Sequence, residues 1–237
     1  MAKRAIWLWR AFLTIIQLDP QTFTRPLTSF AVTPSPAFAF IFDACLEGIG
    51  AILSDGGGTR RGVLQVYPLP FHLGTESKYQ NFAEFCGILT SILILIAHGA
   101  HDLAVAITGD SEVALKWALS TRFRGADHSC TAALIYVLIS VRFRVTVAHT
   151  THIEGIKNVA CDALSRNYQD VLTALNDPML VNPNCFYQLH HFPHVIALLT
   201  LCDPFLPPIE STADFLVIWD SINHHLNLIV MHDLHRC

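Results

Sequence analysis

Residues 87–100 read GILTSILILIAHGA, an apolar run without an Asp, Glu, Lys or Arg. A run of this kind must leave water, either in a membrane or in the core of a fold. A membrane span needs ~18–20 apolar residues, and this run is shorter and is broken by Thr90, Ser91 and His98. Upstream, Phe82, Phe85, Cys86 and Leu89 recur at helical spacing, so the run continues a long helix. A buried core helix is therefore expected. The chain can supply such a core: it has 237 residues, 52% of them hydrophobic and 14% charged, which also excludes a disordered chain. A small membrane protein is the competing reading, supported by this run and a mean hydropathy of +0.41.

Strand-like and helix-like segments alternate around that helix. Phe38–Phe42 is a predicted strand ending at Asp43, and a second strand spans Gly50–Ser54. Asp55–Thr59, DGGGT, has the composition of a hairpin turn, and a third strand covers Gly62–Tyr67. After the long helix come a strand at Leu103–Thr108, helices at SEVALKWALS and CTAALIYVLISVRF, a strand at Arg144–Ala148 and a helix at NVACDALSRNYQ. The order β-β-β-α-β-α-α-β-α predicts an α/β fold: a mixed five-stranded sheet flanked by helices, antiparallel in its first half and parallel where helices make the crossovers. Residues 1–36 read as a helical connection followed by a Pro/Thr/Ser-rich linker, 37–168 as the folded domain, and 169–237 as an irregular C-terminal extension rich in Pro and His.

Four acids sit at places that matter in such a fold. Asp43 ends the first strand, Asp110 follows the fourth, Glu84 lies among apolar residues of the long helix, and Asp162 lies inside the last helix. Singly, each has an ordinary explanation as a turn former, a solvent-facing acid or a helix cap. Together they suggest a site. If the first and fourth strands are neighbours, Asp43 and Asp110 share the carboxyl end of the sheet, where sites form in open α/β folds. Carboxylates crowded there repel one another unless cations neutralise them. Hard oxygen donors suit Mg²⁺ or Mn²⁺, and a pair of such ions ~3.5–4 Å apart suits in-line phosphoryl transfer.

The segments DACLEGIGAIL, ESKYQNFAEF, TGDSEVALKWA and HIEGIKNVACDALSR resemble the ribonuclease H domain of retrotransposon polyproteins of the Ty3/gypsy or DIRS type. The last of them carries the most specific likeness. The resemblance covers about residues 37–167 and implies a ribonuclease H-like fold that cuts the RNA strand of RNA–DNA hybrids with two Mg²⁺ or Mn²⁺ ions. It implies that Asp43, Glu84, Asp110 and Asp162 hold the metals, and that His152, on the loop before the last helix, moves protons and aids product release. His149 lies closer to the strand and is the less suitable histidine. Asn158 starts the last helix, as a cap and a candidate substrate contact. Cys45 departs from the family, which usually has a small polar residue there.

Other features limit the partners. The net charge of −4 gives no basic footprint, and Lys116, Arg122 and Arg124 are the candidate phosphate contacts. Such a weak grip implies that a polymerase domain of the same element would help hold the hybrid, yet the paired-aspartate signature of a polymerase core is absent from the sequence. A relic with the same fold and no useful activity is the alternative. The seven cysteines contain no CxxC and read as reduced, mostly buried thiols. The N-terminus, MAKRAIWLWRAFLTIIQL, is basic then apolar but lacks a small-residue cleavage site. An intracellular protein not bound to a membrane is expected. The tail histidines His224, His225, His232 and His235, with Cys237, lack complete zinc-module spacing.

Overall fold

The computed structural model describes residues 13, 14, 16, 17, 20, 35–120, 130–207, 209 and 211–234. The helix and linker expected over residues 1–36 lie almost wholly outside these, as do Arg122 and Arg124.

Strands β1 (Phe38–Ala44), β2 (Ile49–Asp55) and β3 (Arg60–Val66) form an antiparallel meander. Its second turn is built by Asp55, whose Oδ1 accepts from the Gly57 and Thr59 amides at 3.0 and 2.9 Å. Helix α1 (Ser77–Ala97) then crosses to β4 (Ala104–Gly109), which runs parallel to β1. Helices α2 (Glu112–Ser120) and α3 (Cys130–Arg142) lead to β5 (Thr146–His152), parallel to β4. The strand order is β5-β4-β1-β2-β3-β6. The expected mixed sheet is present, extended at one edge by the two-residue β6 (Phe186–Tyr187), which pairs parallel to β3.

Two elements differ most from the sequence-based expectation. β5 begins at Thr146 because Arg144 has φ 53°, a left-handed conformation that cannot start a strand. It continues to His152, so that histidine ends a strand instead of sitting on a loop. The last helix of the predicted set, α4 (Val159–Ser165), stops earlier than expected. Asn167 takes φ 58°, the left-handed turn that ends helices, and the chain resumes as α5 (Gln169–Ala174).

Helix α1 is hydrophobic around its whole circumference, and such a helix is stable only when covered on all sides. Among the described residues it is the one helix long and apolar enough to cross a membrane, and 83% of its most apolar window is buried inside the fold. Phe40, Phe42, Ile49 and Leu53 of the sheet share one core with Phe82, Phe85, Ile88 and Leu89 of α1. The hydroxyls of Thr90 and Ser91 are satisfied within the helix, donating to the Cys86 and Gly87 carbonyls at 2.7 and 2.9 Å.

The C-terminal segment completes the cover and is more regular than its sequence suggests. After α6 (Pro178–Val181), helices α7 (Pro193–Thr200) and α8 (Thr212–Leu234) pack on α1. Val195, Leu198, Ile222 and Leu226 enter the same core, each fully buried.

The opposite face of the sheet carries a smaller cluster. Ile52 and Val63 meet Cys161, Ala163 and Leu164 of α4, with Leu172 and Leu180 beyond. The helix sits very close to the β1–β2 hairpin. A Cβ on Gly48 would stand 2.2 Å from the Ser165 carbonyl oxygen, and one on Gly50 would stand 2.4 Å from that of Cys161. Only glycine admits this approach, which brings the end of α4 to the end of β1.

Candidate metal centre

The parallel pairing of β1 and β4 places the first two acids. Ile41 is opposite Thr108, and Asp43 and Asp110 each follow two residues later, at the same end of the sheet. Side chains alternate along a strand. Phe40, Phe42 and Ala44 therefore face the α1 core, while Asp43 turns to the other face and meets α4. Its Oδ2 accepts from the Ser165 hydroxyl at 2.6 Å. Glu84, about two turns into α1, reaches the same strand end, and its Oε1 accepts from Gln80 Nε2 at 3.0 Å. Gln80 also donates to the Ala44 carbonyl at 2.7 Å, tying helix and strand together.

Asp43, Glu84 and Asp110 converge: each offers an oxygen, and these oxygens lie within 4.8 Å of one another. Asp43 and Glu84 are only 4% and 3% exposed. Among the described residues, Glu84 Oε2 and Asp110 Oδ1 are the buried side-chain polar atoms without a hydrogen-bond partner. Two orphaned carboxylate oxygens on members of one acidic cluster are costly in a metal-free fold. Their donor type, charge and proximity fit a hard divalent cation.

The same crowding alters proton affinity. Burial raises the pKa of Asp43 to about 6, against the Ser165 hydrogen bond and with added repulsion from Asp110 and Asp162. Glu84 is raised to about 9, first by burial and then by the charges of Asp43 and Asp110. Perturbed acids gathered at a strand end are a mark of functional sites.

The fourth acid of the expected set stands apart. Asp162 lies on α4 outside the three-carboxylate cluster, about 40% exposed, with Oδ1 held by Arg166 Nε at 2.7 Å. It remains close enough to raise the Asp43 pKa. His152 is exposed at the end of β5, and its Nε2 lies 3.0 Å from the Asp110 backbone carbonyl. His149 is paired further back along the strand, opposite Ala106.

Asn158 does not cap α4 with its side chain. It is 4% exposed and donates through Nδ2 to the Phe42 carbonyl at 2.8 Å. Its side chain thus clips the start of α4 to β1, immediately before Asp43, and a buried amide so engaged is not presented to a substrate. Lys116 is exposed and paired with Glu112 at 2.6 Å, a surface ion pair that a competing phosphate can open cheaply. Cys45 is buried in the β1–β2 turn, where its thiol donates to the Ser165 carbonyl at 3.3 Å and accepts from the Glu47 amide at 3.4 Å. It performs the hydrogen bonding of a small polar residue.

Three supporting residues escaped the sequence reading: Ser165, Gln80 and Arg166. The signals were local. Gln80 and Arg166 each lie four positions from an acid on the same helix, the spacing at which helical side chains meet. Ser165 gave a weaker signal, because its contact with Asp43 spans 122 positions.

No family model matches the chain, and no curated protein matches it. Among solved structures it is similar to LC11-RNase H1 in complex with an RNA/DNA hybrid, with TM-score 0.42 and 18% identity over 55% of this chain and 94% of that one. It is also similar to RNase H1 from the halophilic archaeon Halobacterium salinarum NRC-1, with TM-score 0.40 and 18% identity over 56% and 97% of the two chains. A separate structure of LC11-RNase H1, isolated from compost by a metagenomic approach, gives TM-score 0.41 and 18% identity over 60% and 99%.

Proposed function

We propose that this chain is a metal-dependent endonuclease of the ribonuclease H kind, acting on the RNA strand of RNA–DNA hybrids. The observation that carries the reading is the convergence of Asp43, Glu84 and Asp110 with two buried oxygens unpartnered. The choice of a hybrid rests on the resemblance of the four sequence segments to retrotransposon ribonuclease H domains. In that setting a polymerase domain of the same element holds the hybrid, in keeping with the net charge of −4.

The residues divide the work. Asp43, Glu84 and Asp110 would hold Mg²⁺ or Mn²⁺, and Asp162 would join at a second ion once released from Arg166. When bound there, the cations supply Lewis-acid activation of water and neutralise charge on the phosphate. Ser165 and Gln80 fix the orientations of Asp43 and Glu84. His152, exposed beside Asp110, is positioned to exchange protons with solvent near the scissile phosphate. Lys116 provides an exposed cation on the helix that follows Asp110.

A second reading, a fold that binds cations without cutting, is favoured by one observation: the Asp162–Arg166 pair withdraws the fourth carboxylate from the cluster. One assay separates the two. Purified protein is incubated with labelled RNA–DNA hybrid and Mg²⁺ or Mn²⁺, beside Asp43→Asn. Cation-dependent cleavage of the RNA strand that the variant lacks is the expected result. Cleavage equal in both proteins, or absent from both, would overturn the nuclease reading.

A further inference from the structure

The C-terminal cover holds a pair of histidines that the nuclease reading does not use. His194 is the second residue of α7 and His225 lies midway along α8. Their Nδ1 atoms are 3.3 Å apart. Two Zn–N bonds of ~2.0–2.1 Å at a tetrahedral angle hold their nitrogens ~3.3–3.4 Å apart. The pair therefore stands at chelating separation before any ion is added.

The backbone fixes that separation. Val195, next to His194, and Leu226, next to His225, are fully buried in the main core. Both imidazoles are half-buried, so a cation can reach them from solvent. Exposed His224 packs against His225 at 5.3 Å between ring centroids, and His191 lines the same small cleft as His194. The two imidazoles would supply two ligands, with water completing the shell.

We propose that His194 and His225 form a metal site for a borderline transition cation such as Zn²⁺ or Ni²⁺, separate from the acidic cluster and different from it in chemistry. Imidazole nitrogen selects such ions, whereas the carboxylates of the other site select Mg²⁺ or Mn²⁺. A cation here joins α7 to α8 across the cover of α1.

The test is calorimetric titration of Zn²⁺ into the chelator-treated 237-residue chain, alongside melting curves. One Zn²⁺ per chain is expected at this site, with a higher Tm because the ion binds the folded form. His194→Ala and His225→Ala should each weaken binding by more than the ~10–100-fold that loss of an outer partner of a metal ligand costs. His225→Gln gives the same readout if the alanine variant does not fold. His190→Ala should bind Zn²⁺ as the parent does, and Mg²⁺ should not compete. Zn²⁺ affinity unchanged in both His225 variants, or no binding at roughly millimolar Zn²⁺, would show that the two rings only share a hydrogen bond and would overturn the proposal.

Discussion

The end of β1 and the first turns of α4 both present acids to the same space, yet they treat them differently. At the strand end Asp43, Glu84 and Asp110 are crowded, two of them almost wholly buried, with two oxygens lacking any partner. On the helix Asp162 is exposed and neutralised by Arg166. A carboxylate with its own counter-ion explains itself within the fold. Carboxylates buried without one point to something outside the polypeptide, and a divalent cation is what their chemistry fits.

Kinetics offers the hardest way to break this contrast. Asp43→Asn and Asp110→Asn should each lower hybrid cleavage on the order of 10³-fold, comparable to the loss of a main electrostatic group in other active sites. Asp162→Asn should cost less, roughly tenfold, because its carboxylate reaches the second ion only after leaving its surface pair with Arg166. Single-turnover rates at saturating Mg²⁺ provide the measurement. Equal losses at all three positions would erase the distinction between the two regions.

Stability against pH gives the next largest effect. Asp43 and Glu84 both have folded-state pKa values raised above their unfolded ones, to about 6 and about 9. Each therefore stabilises the metal-free fold below its unfolded pKa and loses that contribution as pH rises through the folded value. Metal-free protein should lose stability between about pH 4 and pH 9, on the order of 3 kcal/mol from Asp43 alone at ~1.4 kcal/mol per unit. Added Mn²⁺ should restore most at the alkaline end. Glu84→Gln should flatten the upper part of the curve. Urea melts across this range decide it, and stability that rises with pH in the metal-free protein would contradict the burial of these acids.

The smallest effect concerns the partner of Asp43. Removing the hydroxyl in Ser165→Ala takes away a hydrogen bond to a charged group, worth ~1.5–3 kcal/mol, and removes a contact that lowers the Asp43 pKa. The acidic limb of the cleavage profile should move to higher pH by about one to two units. An Arg166→Ala variant should move that limb far less, and a reversed ranking would mean that α4 serves the site through Asp162 rather than through Ser165.

Much of this architecture was legible in the sequence because it rests on local patterns. The DGGGT turn, the apolar strands and the helical spacing around Phe82 led to the mixed sheet, and the parallel neighbours β1 and β4 then brought Asp43 and Asp110 together. Other parts were hidden for physical reasons. Pro178 and Pro193 look like breakers, but each stands in the first turn of a helix, where a missing amide costs nothing. Ser211 and Asp214 exchange hydrogen bonds as a capping box for α8, a signal lost in a segment read as irregular. The role of Asn158 was hidden because its partner, the Phe42 carbonyl, lies 116 positions away. Asp162 lies near enough to Asp43 to raise its pKa, but its pairing with Arg166 depends on a rotamer that spacing permits and does not dictate.

The most direct test of the central claim is calorimetric titration of Mn²⁺ into metal-free protein at neutral pH, beside Asp43→Asn and Glu84→Gln. The account predicts saturable binding with proton release in the parent, because Glu84, with its pKa near 9, must deprotonate to accept a cation. It predicts binding lost in Asp43→Asn, and proton release lost in Glu84→Gln. Binding of equal strength in the parent and Asp43→Asn, or no saturable binding in the parent, would contradict it.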